Sequence, residues 1–313
     1  MELAEKKQII IGTTSINRPN LHNDNIPLWY NWINSVDKNI YDISWFINID
    51  HIEKLDSSIE ETRENYKKII KDINVIFSES ETNKGNFLKA CQRIAFKIEK
   101  HIINNNYKKE NVIIIWLEDD WKLNFNSNSN SNSNSNSNSN SIIPLQELID
   151  NYLSNLTYIN LSYIRANYIH ALAPSIISYE LWSQLHLEAW KKQNTYDDPE
   201  HCVGVYFINN FSKYNNINNL TIINKNINED FFKQEFLNYA KSSYTYYKFE
   251  TNCLINNKAN CIKNENIIEL NKNIITFIRI TPSYCSDIGR YFMDSIGLQK
   301  NKNKSEEEFY KKI

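Results

Sequence analysis

The sequence predicts an α/β fold in which helices cover both faces of a mainly parallel sheet. Short apolar runs alternate with amphipathic segments from residue 8 to residue 117, which is the order of parallel strands joined by crossover helices. The last of these runs, 111–117, is apolar throughout, as in a central strand that is buried on both faces. At 313 residues, 41% of them hydrophobic, the chain can bury the core that such a fold needs.

Four strands and three helices are expected in the first part of the chain. The strands are predicted at 8–12, 44–50, 74–77 and 111–117, and the helices at 26–36, 59–73 and 86–101. In each predicted helix the apolar residues recur at intervals of three and four, which places them on one face. Each helix can therefore cover the sheet with this face and keep its polar face in water.

The second part of the chain follows an unbroken Asn-Ser repeat at 126–141, which has no apolar residue and is expected to be a disordered loop. Beyond the repeat the order of elements is less regular. Strands are predicted at 156–163 and 274–280, and helices at 178–191, 200–210, 229–241 and 286–296, the last capped by Ser286. We expect one domain made of two halves, 1–125 and 142–300, and a charged tail at 301–313.

Composition and charge exclude several classes of protein. The net charge of −2 gives no basis for nonspecific binding to nucleic acid, and no run approaches the roughly 20 apolar residues of a membrane span. The N-terminus lacks the pattern of a signal peptide. The five cysteines are scattered without a C-x-x-C, which favours reduced thiols over a zinc site or disulfides. The sequence therefore predicts a cytoplasmic protein without a membrane span.

Three consecutive acidic residues, Glu118, Asp119 and Asp120, follow the buried strand at 111–117. Ligands bind at the carboxyl ends of strands in open α/β sheets, and adjacent carboxylates repel each other unless a cation is bound. Carboxylate oxygens favour Mg²⁺ or Mn²⁺. Strand alternation would direct Glu118 and Asp120 to one side and Asp119 to the other. The alternative is that the three acids only cap a strand beside a loop.

This acidic motif, after a fourth strand in βα order, resembles the DxD motif of glycosyltransferases of the GT-A fold. The resemblance covers residues 8–121 and, more loosely, 156–296. It implies a GT-A-like, Rossmann-type mixed sheet, with 1–125 binding a nucleotide sugar and 142–300 binding the acceptor. It also implies that Asp120 is the main ligand of a Mn²⁺ or Mg²⁺ ion, with Glu118 and Asp119 on the ion or on the ribose. Glu118 stands where the family often has an aspartate.

Further binding residues are implied by the same resemblance. The loop that follows the first strand would contact the nucleotide, and Gly12 would let the ligand approach closely. An acid that ends the second strand would bind the base or ribose, and basic or aromatic residues near the C-terminus would cover the diphosphate. The expected residues are Thr13, Thr14, Ser15, Arg18, Asp50, Arg279, Arg290 and Tyr291. Lys84 is expected on separate grounds, because it precedes a helix N-terminus, which suits an anion. The alternative is an ordinary polar loop, a helix cap and solvated side chains at these positions.

A second acidic segment, Asp197-Asp198-Pro199-Glu200-His201, is the candidate source of a general base. In inverting members of the family, an acid in a comparable segment takes the proton from the acceptor hydroxyl. Asp198 or Glu200 would have this role, and His201 would join the metal ligands. The structural alternative is that Asp198 is the N-cap of a helix in which Pro199 is the first residue.

The resemblance therefore implies a metal-dependent transferase that moves a sugar from a nucleoside-diphosphate sugar, with UDP-sugars favoured, to a glycan or protein acceptor, and inversion is the favoured outcome. One alternative is a noncatalytic carbohydrate-binding protein on the same fold. Another is a sugar-phosphate nucleotidyltransferase, although the Gly-rich signature of that class is missing after the first strand. The excess of Asn, Ile, Lys and Tyr indicates an AT-rich genome, as in large DNA viruses or protists. For a viral protein we expect location in the host cytoplasm or virion.

Overall fold

A computed structural model describes most of the first half of the chain and parts of the second. The described residues are 5–80, 86–123, 142–154, 156–161, 174–192, 199–200, 202–203 and 206, with the backbone of 220–223, 276–280 and 285–287. The Asn-Ser repeat at 126–141, the predicted helix at 229–241 and the tail at 301–313 lie outside these residues.

Ten strands and six α-helices are present in the described part of the chain. The strands are β1 (Lys7–Ile16), β2 (Tyr41–Asp50), β3 (Asn74–Glu79), β4 (Val112–Glu118), β5 (Trp121–Leu123), β6 (Thr157–Asn160), β7 (Ser175–Ser178), β8 (Leu220–Ile223), β9 (Thr276–Ile280) and β10 (Cys285–Asp287). The helices are α1 (Pro19–Ile33), α2 (Ile59–Ile69), α3 (Phe87–Asn104), α4 (Leu145–Tyr152), α5 (Tyr179–Trp182) and α6 (Glu188–Lys192). A π-helical segment, Ser183–Leu187, joins α5 to α6.

Eight of these strands form one sheet in the order β3-β2-β1-β4-β7-β6-β9-β8. Within it β7 is antiparallel to both of its neighbours, whereas the other described pairings are parallel. The predicted fold class, a mixed and mainly parallel sheet flanked by helices, is confirmed. The strand order reverses between β1 and β4, because β2 and β3 extend the sheet on one side of β1 and β4 extends it on the other.

Two apolar layers cover the sheet. On one face Ile10 and Trp116 pack against α3, α5 and α6, and on the other face Ile9, Ile11 and Ile115 pack against α1, α2 and α4. Successive residues of β1 and β4 point to opposite faces, so each of these strands contributes to both layers. The helices α2 and α3 begin at side-chain caps, from Ser58 and Asn86. In the described part of the chain, no helix is long and apolar enough to cross a membrane.

The second half of the chain departs from the sequence prediction in several places. Neither helix α4 nor strand β8 was expected. Strand β7 was not expected, and it lies between β4 and β6. Ser286, expected to cap a helix, instead lies in β10, which pairs with β5 in a separate two-stranded sheet. The expectation for Ser286 was wrong because backbone pairing with β5, more than 160 residues earlier, outweighs the local capping signal.

His186 lies in the π-helical segment and is completely buried. Its ring lies beside the ring of Trp190, with 5.7 Å between the centroids. Among the residues that the structure describes, neither ring nitrogen has a hydrogen-bond partner. Burial disfavours the imidazolium and lowers the pKa of His186 to about 3. The folded protein therefore keeps this side chain neutral at pH values at which an unfolded chain would protonate it.

We predict that His186 makes the protein less stable in mild acid. The unfolded chain takes up a proton below about pH 6.5, whereas the folded chain does so only near pH 3, so stability is lost as the pH falls through this window. Between pH 7 and pH 5 the loss from this group is about 2 kcal/mol. Urea unfolding of His186→Leu and His186→Gln at both pH values should show a correspondingly smaller loss than the wild type. Equal pH dependence in all three proteins would contradict the prediction.

Candidate functional site

The candidate site lies at the carboxyl edge of the sheet, where β1 and β4 are neighbours. Thr14 of β1 is in register with Asn48 of β2 and Glu118 of β4. The backbone N–H of Asp119 continues the pairing by donating to the Thr14 carbonyl oxygen at 3.0 Å. The strand order reverses between β1 and β4, and open α/β sheets bind ligands outside the carboxyl ends of their strands at such a point.

The carboxylate of Asp119 is the centre of a buried polar cluster. Its Oδ2 accepts hydrogen bonds from the Ser15 hydroxyl at 2.9 Å, the Ile16 backbone N–H at 3.1 Å and Arg18 Nε at 3.1 Å. The same oxygen lies 2.8 Å from His22 Nε2, and Oδ1 accepts from Arg18 Nη2. The Asp119 side chain is only 3% exposed. We call Ser15, Arg18, His22 and Asp119, with Asn25 and Tyr66 described next, the Asp119 cluster.

Two further residues complete the Asp119 cluster. Asn25 donates from its side-chain amide to the Asp119 backbone carbonyl, and the Tyr66 hydroxyl of α2 donates to Ser15 Oγ at 3.1 Å. The rings of His22 and Tyr66 lie 4.7 Å apart. His22 and Asn25 are three residues apart on α1 and therefore share a face of the helix. The cluster thus joins the end of β1, the start of α1 and the side of α2 to the end of β4.

The Asp119 cluster keeps its central pair charged. Burial by itself would raise the pKa of Asp119, but the positive charge and hydrogen bonds of Arg18, with the contact of His22, bring it well below its usual range. Burial by itself would lower the pKa of Arg18, but the charges of Asp119 and Asp120 hold it above its usual value. This is a buried ion pair with most of its hydrogen-bonding capacity satisfied inside the protein.

Asp120 and Glu118 are more accessible than Asp119. Asp120 Oδ2 lies 3.1 Å from Arg18 Nη2, and the Asp120 side chain is 23% exposed. Glu118 is partly exposed and its Oε2 accepts from Trp121 Nε1 at 3.3 Å. Strand β4 ends at Glu118 and a turn follows at 119–120, so regular strand alternation does not extend to Asp120.

The carboxylates of Glu118 and Asp120 fit a divalent cation only as a partial set of ligands. Within the described ranges, no group of three or more His, Cys, Asp or Glu side chains could hold a metal ion. Magnesium-like ions, however, are commonly bound by one or two carboxylates together with substrate phosphates and water. The donor set at the end of β4 therefore suits an ion that arrives with, or is completed by, a phosphate-bearing substrate.

The carboxylate of Asp50, at the end of β2, is also used inside the protein. Its Oδ1 accepts from Arg93 Nη2 at 2.6 Å and from the Asn48 amide at 2.8 Å, and its Oδ2 accepts from the Asn86 backbone N–H at 2.9 Å. These bonds tie β2 to the N-terminal part of α3. Thr13 is equally engaged, because its buried hydroxyl accepts from Trp45 Nε1 at 2.8 Å.

Gly12 has a structural role that differs from the one expected. A Cβ atom at this position would lie 2.9 Å from two ring atoms of Trp116 and 3.0 Å from Ile94 Cγ2. The space beside Gly12 is filled by these side chains, so the expectation that it admits a ligand was wrong. Trp116 is fully buried and packs against Trp190, which leaves its ring little room to move.

Glu200 lies in a helical turn whose start is held by a hydrogen bond from Trp190 Nε1 to the Pro199 carbonyl, 3.1 Å long. Burial raises the pKa of the Tyr158 hydroxyl on β6, and the charges of Glu200 and Glu118 raise it further. The charges of both carboxylates therefore influence the same hydroxyl group.

The C-terminal strands also reach this edge. Asp287 of β10 pairs with Trp121 of β5, directly after the acidic motif, and Arg279 of β9 is in register with Asn160 of β6. The remaining predicted site residues lie outside the described part of the chain: Lys84, Asp198, His201, Arg290 and Tyr291.

Sequence reasoning missed His22, Asn25, Arg93 and Tyr158. A signal was available for two of them, because His22 and Asn25 share one face of α1 with Ile26 and Trp29, and buried polar residues in such a face need partners. Nothing in the sequence indicated that the partner of both would be Asp119.

Comparison with known proteins gives matches only at the level of structure. No family model matches the sequence, and no curated protein matches it. Residues 1–349 of S. aureus TarS align with 63% of this chain at 13% identity and a TM-score of 0.37, and the alignment covers 54% of TarS 1–349. The complex of TarS 1–349 with UDP aligns with 64% of this chain at 12% identity and a TM-score of 0.38, and the alignment covers 55% of that protein.

A mannosyltransferase from Pyrobaculum calidifontis, solved with GDP-Man and Mn²⁺, also aligns. The alignment covers 65% of this chain and 52% of that protein, at 9% identity and a TM-score of 0.35. The chain thus spans about half the length of these structures. Similarity at this level does not identify an activity.

We predict that Gly12→Ala lowers the free energy of unfolding by about 1–3 kcal/mol, because the new methyl group overlaps the Trp116 ring. Urea unfolding measures the effect. The same substitution should cost less in a Trp116→Leu background, in which the ring is absent. An equal cost in both backgrounds would show that the contact with Trp116 is not the cause.

Proposed function

We propose that this protein is a glycosyltransferase that moves a sugar from a nucleoside-diphosphate sugar to an acceptor hydroxyl. One observation carries the proposal: the accessible carboxylates of Glu118 and Asp120 lie at the end of β4, next to the point at which the strand order reverses. Doubly wound sheets bind nucleotides in the crevice at such a point. The acidic motif and the order of elements, which resemble those of GT-A enzymes, support the same function.

The proposed cation, Mn²⁺ or Mg²⁺, would be held by Asp120 and Glu118, with His201 as a further predicted ligand. When bound, such an ion supplies positive charge that offsets the charge of the departing diphosphate. Arg18 holds the Asp120 carboxylate at the edge of the sheet through the 3.1 Å contact of Nη2 with Oδ2. The donor set is consistent with an ion whose remaining ligands are phosphate oxygens and water.

The nucleotide would lie over the ends of β1 and β2. The side chains of Thr13, Ser15, Asp50 and Asp119 already bond within the protein, so we assign them to shaping this surface. Thr14, in register with Glu118, is the proposed contact for the ribose. We favour a UDP-sugar as the donor. The predicted diphosphate contacts are Arg279, Arg290, Tyr291 and Lys84.

Glu200 or Asp198 is the proposed general base. The base takes the proton from the acceptor hydroxyl as its oxygen bonds to the anomeric carbon and the bond from that carbon to the diphosphate breaks. Attack opposite the leaving group inverts the anomeric configuration. Glu200 is supported by its helical turn, which is anchored by Trp190. Its charge, like that of Glu118, also raises the pKa of Tyr158. Asp198 is supported by its place in the same acidic segment.

A thermal-shift panel tests the donor site. UDP-, GDP- and CMP-sugars are each added with and without Mn²⁺, and we expect one nucleotide to raise the melting temperature only when the metal is present. At a ligand concentration 100 times the Kd, the stabilisation is about 2.7 kcal/mol. Asp120→Ala should abolish the response and still melt cooperatively. Asp24→Ala, which removes an exposed carboxylate of α1, is the matched control and should respond as the wild type does. A wild type that responds to none of the nucleotides would favour a noncatalytic carbohydrate-binding protein.

Initial rates with the donor identified in this way test the base. Replacing the true base, as in Glu200→Gln or Asp198→Asn, should lower kcat by about 10²- to 10⁴-fold, because no side chain then takes the proton from the hydroxyl of the sugar acceptor. The KM for the donor should change little. Glu188→Gln alters a surface carboxylate that pairs with Lys192 and serves as the control. Full kcat in both variants would exclude Glu200 and Asp198 as the base.

A further inference from the structure

We propose that Asp119 is a positioning residue, which holds Arg18 and, through Arg18, the carboxylate of Asp120, and which contacts neither cation nor nucleotide itself. The resemblance to GT-A enzymes implied instead that Asp119 binds the ion or the ribose. The part of this inference that concerns the cation rests on the proposed function. The part that concerns the order of the chain around Asp120 does not.

The first argument is that the Asp119 carboxylate is already satisfied. A carboxylate offers about four lone-pair positions. Here Oδ2 accepts hydrogen bonds from the Ser15 hydroxyl, the Ile16 N–H and Arg18 Nε, and it also contacts His22 Nε2. The other oxygen, Oδ1, accepts from Arg18 Nη2. A ligand could reach this nearly inaccessible group only by displacing charge-assisted bonds.

The second argument is the geometry of Arg18. Its Nε and Nη2 both bond to Asp119, and the same Nη2 lies 3.1 Å from Asp120 Oδ2. A guanidinium is planar and rigid, so the two bonds to Asp119 fix the direction in which Nη2 meets Asp120. The Arg18 side chain is only 5% exposed and cannot swing freely into solvent. The carboxylates of Asp119 and Asp120 thus share the positive charge of Arg18. This charge offsets their mutual repulsion and fixes the position of Asp120, the more accessible of the two.

The third argument is that the Asp119 cluster draws three other elements to the same point. Ser15 and the Ile16 N–H come from β1, Asn25 binds the Asp119 carbonyl from α1, and Tyr66 reaches Ser15 from α2. Asp119, which precedes Asp120 in the turn, is therefore held by contacts with β1 and α1 and, through Ser15, with α2. Loosening Asp119 should release the end of β1 and the Asp120 turn together.

Hydrogen exchange and metal binding test the proposal without turnover. Exchange is followed by mass spectrometry in segments 13–18 and 117–121, and binding of Mn²⁺ in the presence of UDP, which supplies the diphosphate, is followed by electron paramagnetic resonance. In Asp119→Asn, both segments should exchange at least about tenfold faster, and the Mn²⁺ dissociation constant should rise by about 10- to 100-fold. Ile102→Ala is the control, because Ile102 is a buried residue of α3 without a place in the cluster. It should leave the Mn²⁺ affinity and the relative exchange of the two segments unchanged.

Arg18 variants test the link from the other side and serve if Asp119→Asn does not fold. Arg18→Gln leaves Asp119 its bonds to Ser15 and Ile16 but removes the link to Asp120. It should speed exchange in 117–121 and weaken Mn²⁺ binding. Arg18→Lys keeps the positive charge but not the planar guanidinium, so its exchange rate and Mn²⁺ affinity should lie between those of Arg18→Gln and the wild type.

Wild-type exchange and wild-type Mn²⁺ affinity in Asp119→Asn, or in Arg18→Gln, would overturn the positioning role. A separate result would count against the proposed function: a wild type that takes up no Mn²⁺ when UDP is present, or an Asp120→Asn variant that takes it up equally well. In that case the exchange measurements still decide whether Asp119 fixes the Asp120 turn.

Discussion

The buried ion pair between Arg18 and Asp119 is the interaction on which the organisation of this edge of the sheet depends. Removing two charges from water costs several kcal/mol per ion, and their attraction offsets this only when the geometry is good and the other hydrogen-bonding positions are filled. In this protein they are filled from β1, α1 and, through Tyr66, α2. The pair is therefore stable only in the assembled fold, which links its formation to the packing of all these elements.

A similar arrangement occurs one strand away. Asp50 ends β2 and is held by Arg93 of α3 and by the Asn86 backbone N–H. Two of the acids at the carboxyl edge are thus used to join strands to helices. The chemistry left for a ligand comes from Glu118 and Asp120, and two carboxylates are few for a metal site made by the protein alone. This is the physical reason for assigning the cation to a complex with a diphosphate substrate.

The second half of the chain contributes to the same edge by pairing and by charge. Strand β10 pairs with β5, the strand that follows the acidic turn, and the charges of Glu200 and Glu118 both raise the pKa of Tyr158. The hydrogen bond from Trp190 to Pro199 connects this segment to the α3-facing core. The proposed donor and acceptor sites therefore share a support, the layer of aromatic residues beneath Trp116.

The sequence alone was sufficient for the fold class, the first four strands and the position of the acidic residues at a strand end. These features follow from local patterns: apolar runs mark strands, helical spacing marks the covering layers, and parallel strands share a carboxyl edge. The place of β7, the strand at Ser286 and the packing of Trp116 on Gly12 depended on tertiary structure, because each is a contact between distant segments. The same holds for Asp119. Whether its carboxylate faces a ligand or an arginine 101 residues earlier is decided by how β1 and β4 pack, and no local pattern contains that distance.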